Sequence, residues 1–205
     1  MAAEHFQWAV SCVENLYLLQ DLAKVEPPTG EATTKSGHRS LSVGQGYMTW
    51  AAVSAMGAFD RIAAAFGALH LGLRRDSRVD DFADLWKQRR EFCSEHHPVR
   101  AWMRDVRQDQ AFTDTLNVAR HPMVHSTTRL QVSMSIAIGK PPAGVPGRRN
   151  HPHAFCIAKD RAMPPRAFME EVTPSATRHL MSALGLVESG KGLPDEVASM
   201  FEDND

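Results

Sequence analysis

Cysteine is scarce in this chain of 205 residues, which has three, Cys12, Cys93 and Cys156, at distant positions and in no CxxC spacing. An odd number of isolated cysteines argues against a disulfide-stapled secreted domain and fits a reducing compartment. The N-terminal stretch MAAEHFQWAV carries an acid and no basic segment, so it does not look like a secretory signal. We therefore expect free thiols and a cytoplasmic location.

The chain also lacks an excess of either charge and lacks a long hydrophobic run. Its formal net charge of -1 at pH 7 gives no overall attraction to polyanions, so contact with nucleic acid must come from a local basic patch. The most apolar run, residues 47–59, is too short to span a bilayer and is followed directly by Asp60 and Arg61. This pattern predicts a buried core helix, and nothing in the sequence calls for a membrane.

Motifs for nucleotides and for covalent nucleophiles are missing as well. There is no P-loop, and the GQG at 44–46 is too short for a dinucleotide fingerprint. Signatures of serine or cysteine nucleophiles are also lacking. We expect no cofactor.

Two short clusters of histidine and cysteine, at 93–97 and 151–156, could supply zinc ligands. Structural zinc usually draws on two separated ligand pairs with tight internal spacing, and neither cluster has such a complement elsewhere. The expectation is therefore that no metal binds. A zinc-dependent hydrolase remains an alternative, and metal analysis of the purified protein would test it by detecting bound zinc.

Apolar periodicity predicts an all-α fold in the main. Apolar residues recur at spacings of three and four in four segments, the last with a phase shift near 108–110: 4–24, 43–73, 80–95 and 98–120. The segment 43–73 is rich in alanine and nearly uncharged in its first half, so its helix must lie in the middle of the bundle. The four tryptophans fall within apolar stripes, which predicts that they belong to the core. Residues 27–40 are rich in Pro, Gly, Ser and Thr, which predicts a loop.

Alternating apolar residues over 130–138, with a second run at 154–158, predict a small β-hairpin insertion around 129–159. Helical patterns follow at 165–172, 174–186 and 194–201. We therefore predict one domain over 1–205. Its parts are a core bundle (1–126), a hairpin with a long loop (127–160) and C-terminal helices (161–205).

The stretch ARHPMVHST, residues 119–127, places Arg120 and His125 around a proline at a helix boundary. On an unbroken helix, residues five apart point about 140° away from each other. Pro122 disfavours helical backbone at His121, so a bend here can swing Arg120 toward His125. A ring that titrates near neutral pH and a permanent guanidinium are what metal-free cleavage of RNA requires.

Spacing alone decides little, because the composition gives roughly 0.8 such Arg–His pairs by chance and the chain holds a second one, Arg148 with His153. That second pair lies in a loop rich in Pro and Gly. Arg120 and His125 instead follow a long amphipathic pattern that can hold them against the core.

The hexapeptide Arg120-His121-Pro122-Met123-Val124-His125 resembles the signature of the HEPN superfamily, which is an arginine, a polar residue, three variable residues and a histidine. The resemblance implies an all-α bundle that forms a homodimer with two copies of the motif near one cleft. Many members are metal-independent endoribonucleases, among them toxins paired with nucleotidyltransferase-like antitoxins and effectors of antiphage defence. Others are non-catalytic binding modules.

Carried over by position, the resemblance implies that Arg120 contacts the scissile phosphate, His125 is the acid or base, and His121 orients them. Six basic residues lie in the two helices before the motif: Lys87, Arg89, Arg90, Arg100, Arg104 and Arg107. Interleaved acids favour a plain solvated surface, and a basic approach to a phosphate-binding cleft is the alternative. In that alternative Arg104 and Arg107 contact RNA.

Besides the zinc-dependent hydrolase, two functions remain open from the sequence. One is a HEPN-like endoribonuclease of toxin or defence type, acting on RNA through Arg120, His121 and His125. The other is a non-catalytic helical interaction module, in which Arg120 caps or pairs at a helix end and His125 packs in the core. A solvent-facing His125 near a twofold axis would favour the enzyme.

Overall fold

The computed structural model describes residues 2–25, 35–70, 79–120, 155–158, 161–194 and 197. Five helices come first: α1 (Ala2–Val25), α2 (Lys35–His70), α3 (Phe82–Phe92), α4 (Pro98–Gln108) and α5 (Gln110–Arg120). Two short strands and three helical segments follow: β1 (Phe155–Ala158), β2 (Arg161–Met163), α6 (Pro165–Ala167), a π-helical turn (Phe168–Val172) and α7 (Thr173–Glu188). The mainly helical fold is confirmed.

Helix α2 lies in the middle of the bundle, as its composition predicts. Ala51, Ala52, Ala55 and Ala58 are at most 1% exposed, and these small side chains allow neighbouring helices to approach closely. The antiparallel helix α1 packs along it and buries one stripe of apolar side chains, which comprises Ala9, Val13, Leu16, Leu19 and Ala23.

Helix α2 is also long and apolar enough to span a membrane over Gly46–His70, where its most apolar window has a mean hydropathy of 1.3. Buried core helices of globular proteins pass the same test of length and composition. Within the bundle, 61% of the most apolar window of this helix is buried. Burial of this kind fits the predicted core helix.

Aromatic rings join α2 to three other helices. The Phe59 ring of α2 lies edge-on to Phe112 of α5 at 5.0 Å between centroids and to Phe82 of α3 at 6.0 Å. Trp102 of α4 lies 5.5 Å from Phe82 and 5.6 Å from Phe66 of α2. Edge-to-face pairs of this kind are worth about 0.5–1.5 kcal/mol beyond their buried area. The rings therefore fix α3, α4 and α5 against the central helix.

The helix ends agree with the sequence in some places and correct it in others. Asp81 caps α3, where its Oδ1 accepts a hydrogen bond from the N–H of Asp84 at 2.7 Å, close to the predicted start of this helix at residue 80. The helical stretch predicted over 98–120 is present but is divided at Asp109, at the predicted phase shift, into α4 and α5. The loop predicted over 27–40 is wrong at 35–40, which lies in α2. Extending an existing helix is far easier than nucleating one, so polar residues can join it.

The four tryptophans differ in burial, and Trp86 is half-buried. Trp102 is 4% exposed and belongs to the core, as predicted, whereas Trp8 and Trp50 are 63% and 64% exposed and correct the prediction. Both lie on helices with a buried stripe, but on the side that faces away from it. Helical spacing shows that Trp8 and Trp50 lie near apolar residues in the sequence. It does not show which face of the helix packs against neighbouring helices.

The strand β1 pairs with β2 in an antiparallel hairpin, with Phe155 opposite Met163 and an irregularity between Cys156 and Ala158. The predicted partner, residues 130–138, lies outside the described residues, so the predicted pairing stays a prediction. Most of the predicted helix 194–201 also lies outside them.

The two predicted helices 165–172 and 174–186 form one continuous helical segment. A π-helical turn joins them, in which the N–H of Thr173 bonds to the carbonyl of Phe168, five residues earlier. Pro174 lacks an N–H, and its ring would crowd the carbonyl four residues before it in a regular α-helix. The wider turn gives room for that ring, so the helix continues through the proline.

Gly67 is a point of close approach between α2 and the segment before α3. A Cβ atom at this position would lie 2.7 Å from Cβ of Val79. We predict that Gly67→Ala lowers the free energy of unfolding by about 1–2 kcal/mol, because this overlap outweighs the better helix propensity of alanine. Urea denaturation followed by circular dichroism measures the change.

The matched control is Gly185→Ala, in α7, where an added Cβ would meet nothing within 4 Å. This variant should be more stable than the parent by about 0.5–1 kcal/mol. If both substitutions change stability in the same direction, the close contact at Gly67 does not constrain the fold.

Candidate nucleic-acid interface

Helix α5 carries the chain to the Arg–His motif and is described as far as Arg120. Its inner face packs on α2 through Phe112, and Ala111, Thr115 and Val118 are also buried. Arg120 thus belongs to a helix that the core fixes. Its side chain, and the whole of 121–125, lie outside the described residues, so the predicted bend at Pro122 and the approach of Arg120 to His125 stay predictions.

The other end of α5 is fixed by Asp109, which forms the break between α4 and α5. Its Oδ1 accepts a hydrogen bond from the N–H of Ala111 at 2.7 Å, which caps α5. Its Oδ2 accepts from the hydroxyl of Ser175 at 2.7 Å and from Nε2 of His179 at 2.7 Å. One carboxylate therefore caps α5 and ties it to α7.

The neighbours of this carboxylate extend the link. Arg178 donates through Nη2 to Oγ of Ser175 at 2.7 Å, and the indole N–H of Trp102 donates to the carbonyl of His179 at 2.9 Å. Because Ser175 accepts from Arg178, its own proton is directed to Asp109. We name Asp109, Ser175, Arg178 and His179 the α5 anchor.

The α5 anchor contains the residue types of a catalytic triad but not its order of contacts. In a triad, the histidine lies between the nucleophile and the carboxylate, so that it can take the nucleophile's proton. Here Ser175 and His179 both donate to the same oxygen of Asp109, and the carboxylate lies between them. This arrangement does not activate Ser175, and it positions helices instead.

Hydrogen bonding controls the ionisation of Asp109. Its partial burial acts to raise the pKa of the carboxyl, but the hydrogen bonds from Ser175, Ala111 and His179 outweigh that effect and hold the pKa below its usual value. The carboxylate form is therefore the one that the folded state favours.

Sequence reasoning missed the α5 anchor. The phase shift near 108–110 marked the helix break, but no local pattern connects Asp109 with partners 66 and 70 residues away. Only the folded chain brings them together.

The two predicted RNA-binding residues lie on the exposed side of α4. Arg104 and Arg107 are both exposed and stand one turn apart on this helix. The guanidinium of Arg107 lies 4.6 Å from the ring centroid of Trp86 in α3, and that of Arg89 lies 4.0 Å from the same ring. Two cations thus flank one half-buried indole, each in the range of a cation–π interaction.

This arrangement can present planar charged groups to a polyanion. A guanidinium forms paired hydrogen bonds with a phosphate and stacks on bases through its flat face. Helix α5 has 11 residues, so Arg120 lies about 16 Å along the helix from the α4–α5 break. His125 lies outside the described residues.

The cluster at 93–97 that suggested zinc ligands has another role. His97 is 4% exposed, accepts the N–H of Val99 at Nδ1 (3.2 Å) and donates from Nε2 to the carbonyl of Leu193 (3.0 Å). It caps α4 and holds the turn after α7. Because both ring nitrogens are engaged, His97 would have to lose these bonds to coordinate a metal.

Within the described part of the chain, no three His, Cys, Asp or Glu residues are grouped so that they could hold a metal ion. Of the possible zinc ligands at 151–156, only Cys156 lies within the described residues. Cys12 is a free thiol, and the Cys93 thiol donates to the carbonyl of Arg89 at 3.6 Å.

Comparison of the chain with protein-family models, with curated proteins and with solved structures finds no match.

The α5 anchor predicts a measurable loss of stability. Asp109→Ala removes a helix cap and two hydrogen bonds to a charged group, which together should lower the free energy of unfolding at pH 7 by about 2–4 kcal/mol. The pKa of Asp109 is lower in the folded state than in the unfolded state. The carboxylate therefore makes its full contribution to the free energy of unfolding above about pH 4, and this contribution is lost as the pH falls through the folded-state pKa. The difference from the parent should therefore narrow below about pH 4.

Asp105→Ala is the matched control, since Asp105 is an exposed aspartate on α4, the helix that Asp109 ends. It should change stability by about 0.5 kcal/mol or less at every pH. Urea titrations measure the change in the free energy of unfolding. Equal changes for the two substitutions, or a difference that does not depend on pH, would contradict the anchoring role of Asp109.

Proposed function

We propose that this protein is a HEPN-like, metal-independent endoribonuclease of toxin or defence type. It acts in the cytoplasm as a homodimer on RNA, and a nucleotidyltransferase-like antitoxin is a possible partner. The observation that supports the proposal is the packing of α5, which leads into the motif at Arg120 and is held against α2 by its buried inner face. The bend at Pro122 that would bring Arg120 and His125 together stays a prediction.

In the proposed reaction, His125 accepts the proton of a ribose 2′-hydroxyl or donates one to the departing oxygen. The 2′-oxygen forms a bond to phosphorus while the bond to the 5′-oxygen breaks, and the 5′-oxygen takes up a proton. The products are a 2′,3′-cyclic phosphate and a free 5′-hydroxyl. Arg120 stabilises the charge that grows on the phosphate, and His121 orients the pair.

Arg104 and Arg107 would then form the approach for the RNA strand. Since Arg120 lies about 16 Å along α5 from the α4–α5 break, one strand that reaches both must run beside that helix. The Arg89–Trp86–Arg107 arrangement favours single-stranded RNA, because unpaired bases and exposed phosphates can both contact flat guanidinium groups.

A second candidate function is a non-catalytic interaction module, which the surface of α1 and α2 favours. Leu18 and Leu22 are 57% and 44% exposed, and Trp50 and Val53 are 64% and 44% exposed. The antiparallel pairing sets Cys12 opposite Gly57, so these four residues lie toward the same end of the helix pair. Grouped exposed apolar side chains are typical of protein–protein contact surfaces.

The cleavage test uses labelled single-stranded and structured RNAs in excess chelator. We expect the parent protein to cut single-stranded RNA and to leave 2′,3′-cyclic phosphate ends, and His125→Ala to be slower by about 100-fold or more. Arg120→Ala should lose activity to a similar degree.

The second Arg–His pair supplies the matched control, because His153 has the same spacing from Arg148. His153→Ala should cleave like the parent. Equal products from the parent and His125→Ala would exclude His125 from the mechanism, and absence of cleavage by the parent would favour the interaction module.

The approach surface makes a separate prediction about binding. Arg107→Ala should weaken binding to single-stranded RNA several-fold. It should also reduce the slope of log affinity against log salt by about 0.7, the value for one phosphate contact on a single strand. Fluorescence anisotropy at several salt concentrations measures both quantities.

Arg61→Ala is the control, since Arg61 also lies over a tryptophan, 5.8 Å from the Trp8 ring centroid, but on the α1–α2 side of the molecule. It should bind RNA like the parent. Equal weakening by the two substitutions would mean that general charge, and not the α4 surface, attracts the RNA.

A further inference from the structure

A cavity of about 630 Å³ lies between the C-terminal part of α1 and the segment from α6 to the start of α7. Seven residues line it: Gln20, Ala23, Lys24, Arg166, Met169, Glu170 and Pro174. Its size falls within the range of small-molecule sites, which is about 300–1,000 Å³. None of these residues belongs to the Arg–His motif or to the α5 anchor.

One wall of the cavity is the π-helical turn. Met169 and Glu170 lie in this turn, and Pro174 is the second residue after it. A π-helical turn has poorer packing and hydrogen bonding than an α-helix, and such turns occur frequently at functional sites. Here the extra residue widens the turn beside the cavity.

The Gln20 side chain supplies a second and independent observation. Its Nε2 atom is buried and has no hydrogen-bond partner among the described residues. A buried amide N–H without a partner destabilises the empty protein. Gln20 lines the cavity, so a rotation of its side chain would bring this N–H to a ligand oxygen that accepts the bond and removes the cost.

The charged groups of the lining favour the same kind of ligand atom. Lys24 and Arg166 are both hydrogen-bond donors, while the one carboxylate, Glu170, already accepts from Nε of Arg166 at 2.7 Å. Lys24 pairs with Asp21 at 2.8 Å, and both of these ion pairs are largely exposed, so they are weak and can exchange partners. Donors therefore outnumber free acceptors along the polar side of the cavity.

We propose that this cavity binds a small amphiphilic anion. Its apolar body packs against Ala23, Met169 and Pro174. Its carboxylate or phosphate oxygens accept hydrogen bonds from Gln20 Nε2, Lys24 and Arg166. This binding site is independent of the proposed ribonuclease activity.

The probes are decanoate, decyl phosphate and the neutral decanol, used below their aggregation concentrations in isothermal titration calorimetry with the full chain. We expect one saturable site per chain for at least one of the two anions and at least tenfold weaker binding of decanol. The tighter of the two anions identifies the head group. Absence of saturable binding by both anions, or equal binding of decanol, would overturn the proposal.

Substitutions separate a binding role of Gln20 from a structural one. Gln20→Leu should raise the melting temperature, because it removes the unpartnered amide, and should weaken binding of the anion at least fivefold. Gln7→Leu is the matched control, since Gln7 is exposed on the same helix, and its binding should equal that of the parent.

Ala23→Phe should fill the cavity and abolish binding while the helical circular dichroism is retained. If that variant does not fold, Gln20→Leu still decides the question. A lower melting temperature with unchanged binding in Gln20→Leu would assign the amide a structural role and would overturn the proposed site.

Discussion

The burial of α2 is the constraint on which the rest of this fold depends. Its alanines allow α1 to approach along its length, and its phenylalanines contact rings from α3, α4 and α5. A helix covered on most sides has little surface left for polar chemistry. Polar side chains that could bind or react are therefore found on the outer helices, at helix ends and at the seams between elements.

The sequence predicted this interior because its signal is local. A long, nearly uncharged stretch of alanine and methionine has no polar face to offer water, so its position follows from composition alone. The same reasoning found the start of α3 near residue 80 and the buried Trp102. It failed for Trp8 and Trp50, because periodicity shows that a helix has an apolar side but not how far its neighbours cover that side. It also failed at 35–40, where turn-forming residues continue an established helix.

The candidate site was predictable in one part and not in the other. The six-residue motif is continuous in the chain, so it could be recognised by pattern, and the helix predicted before it is present as far as Arg120. The groups that position that helix come from distant segments, since Asp109 bonds to Ser175 and His179. The contact of Arg107 in α4 with Trp86 in α3 likewise joins two different helices. Pairings of this kind depend on the packing of the whole bundle, and no local spacing encodes them. The cavity beside α1 depends on packing in the same way.

The four tryptophans lie in different environments, so their intrinsic fluorescence depends on different parts of the structure. Trp102 is enclosed and its indole is bonded to the His179 carbonyl, so its emission should be shifted to the blue. Trp8 and Trp50 face water, so their emission should lie further to the red. A small polar quencher should also reduce their emission before that of the enclosed Trp102. Trp86, between two guanidinium groups, lies close to the proposed RNA approach. The tryptophan fluorescence of the native protein thus reports separately on the interior, on the α1–α2 surface and on the Trp86 indole beside Arg89 and Arg107.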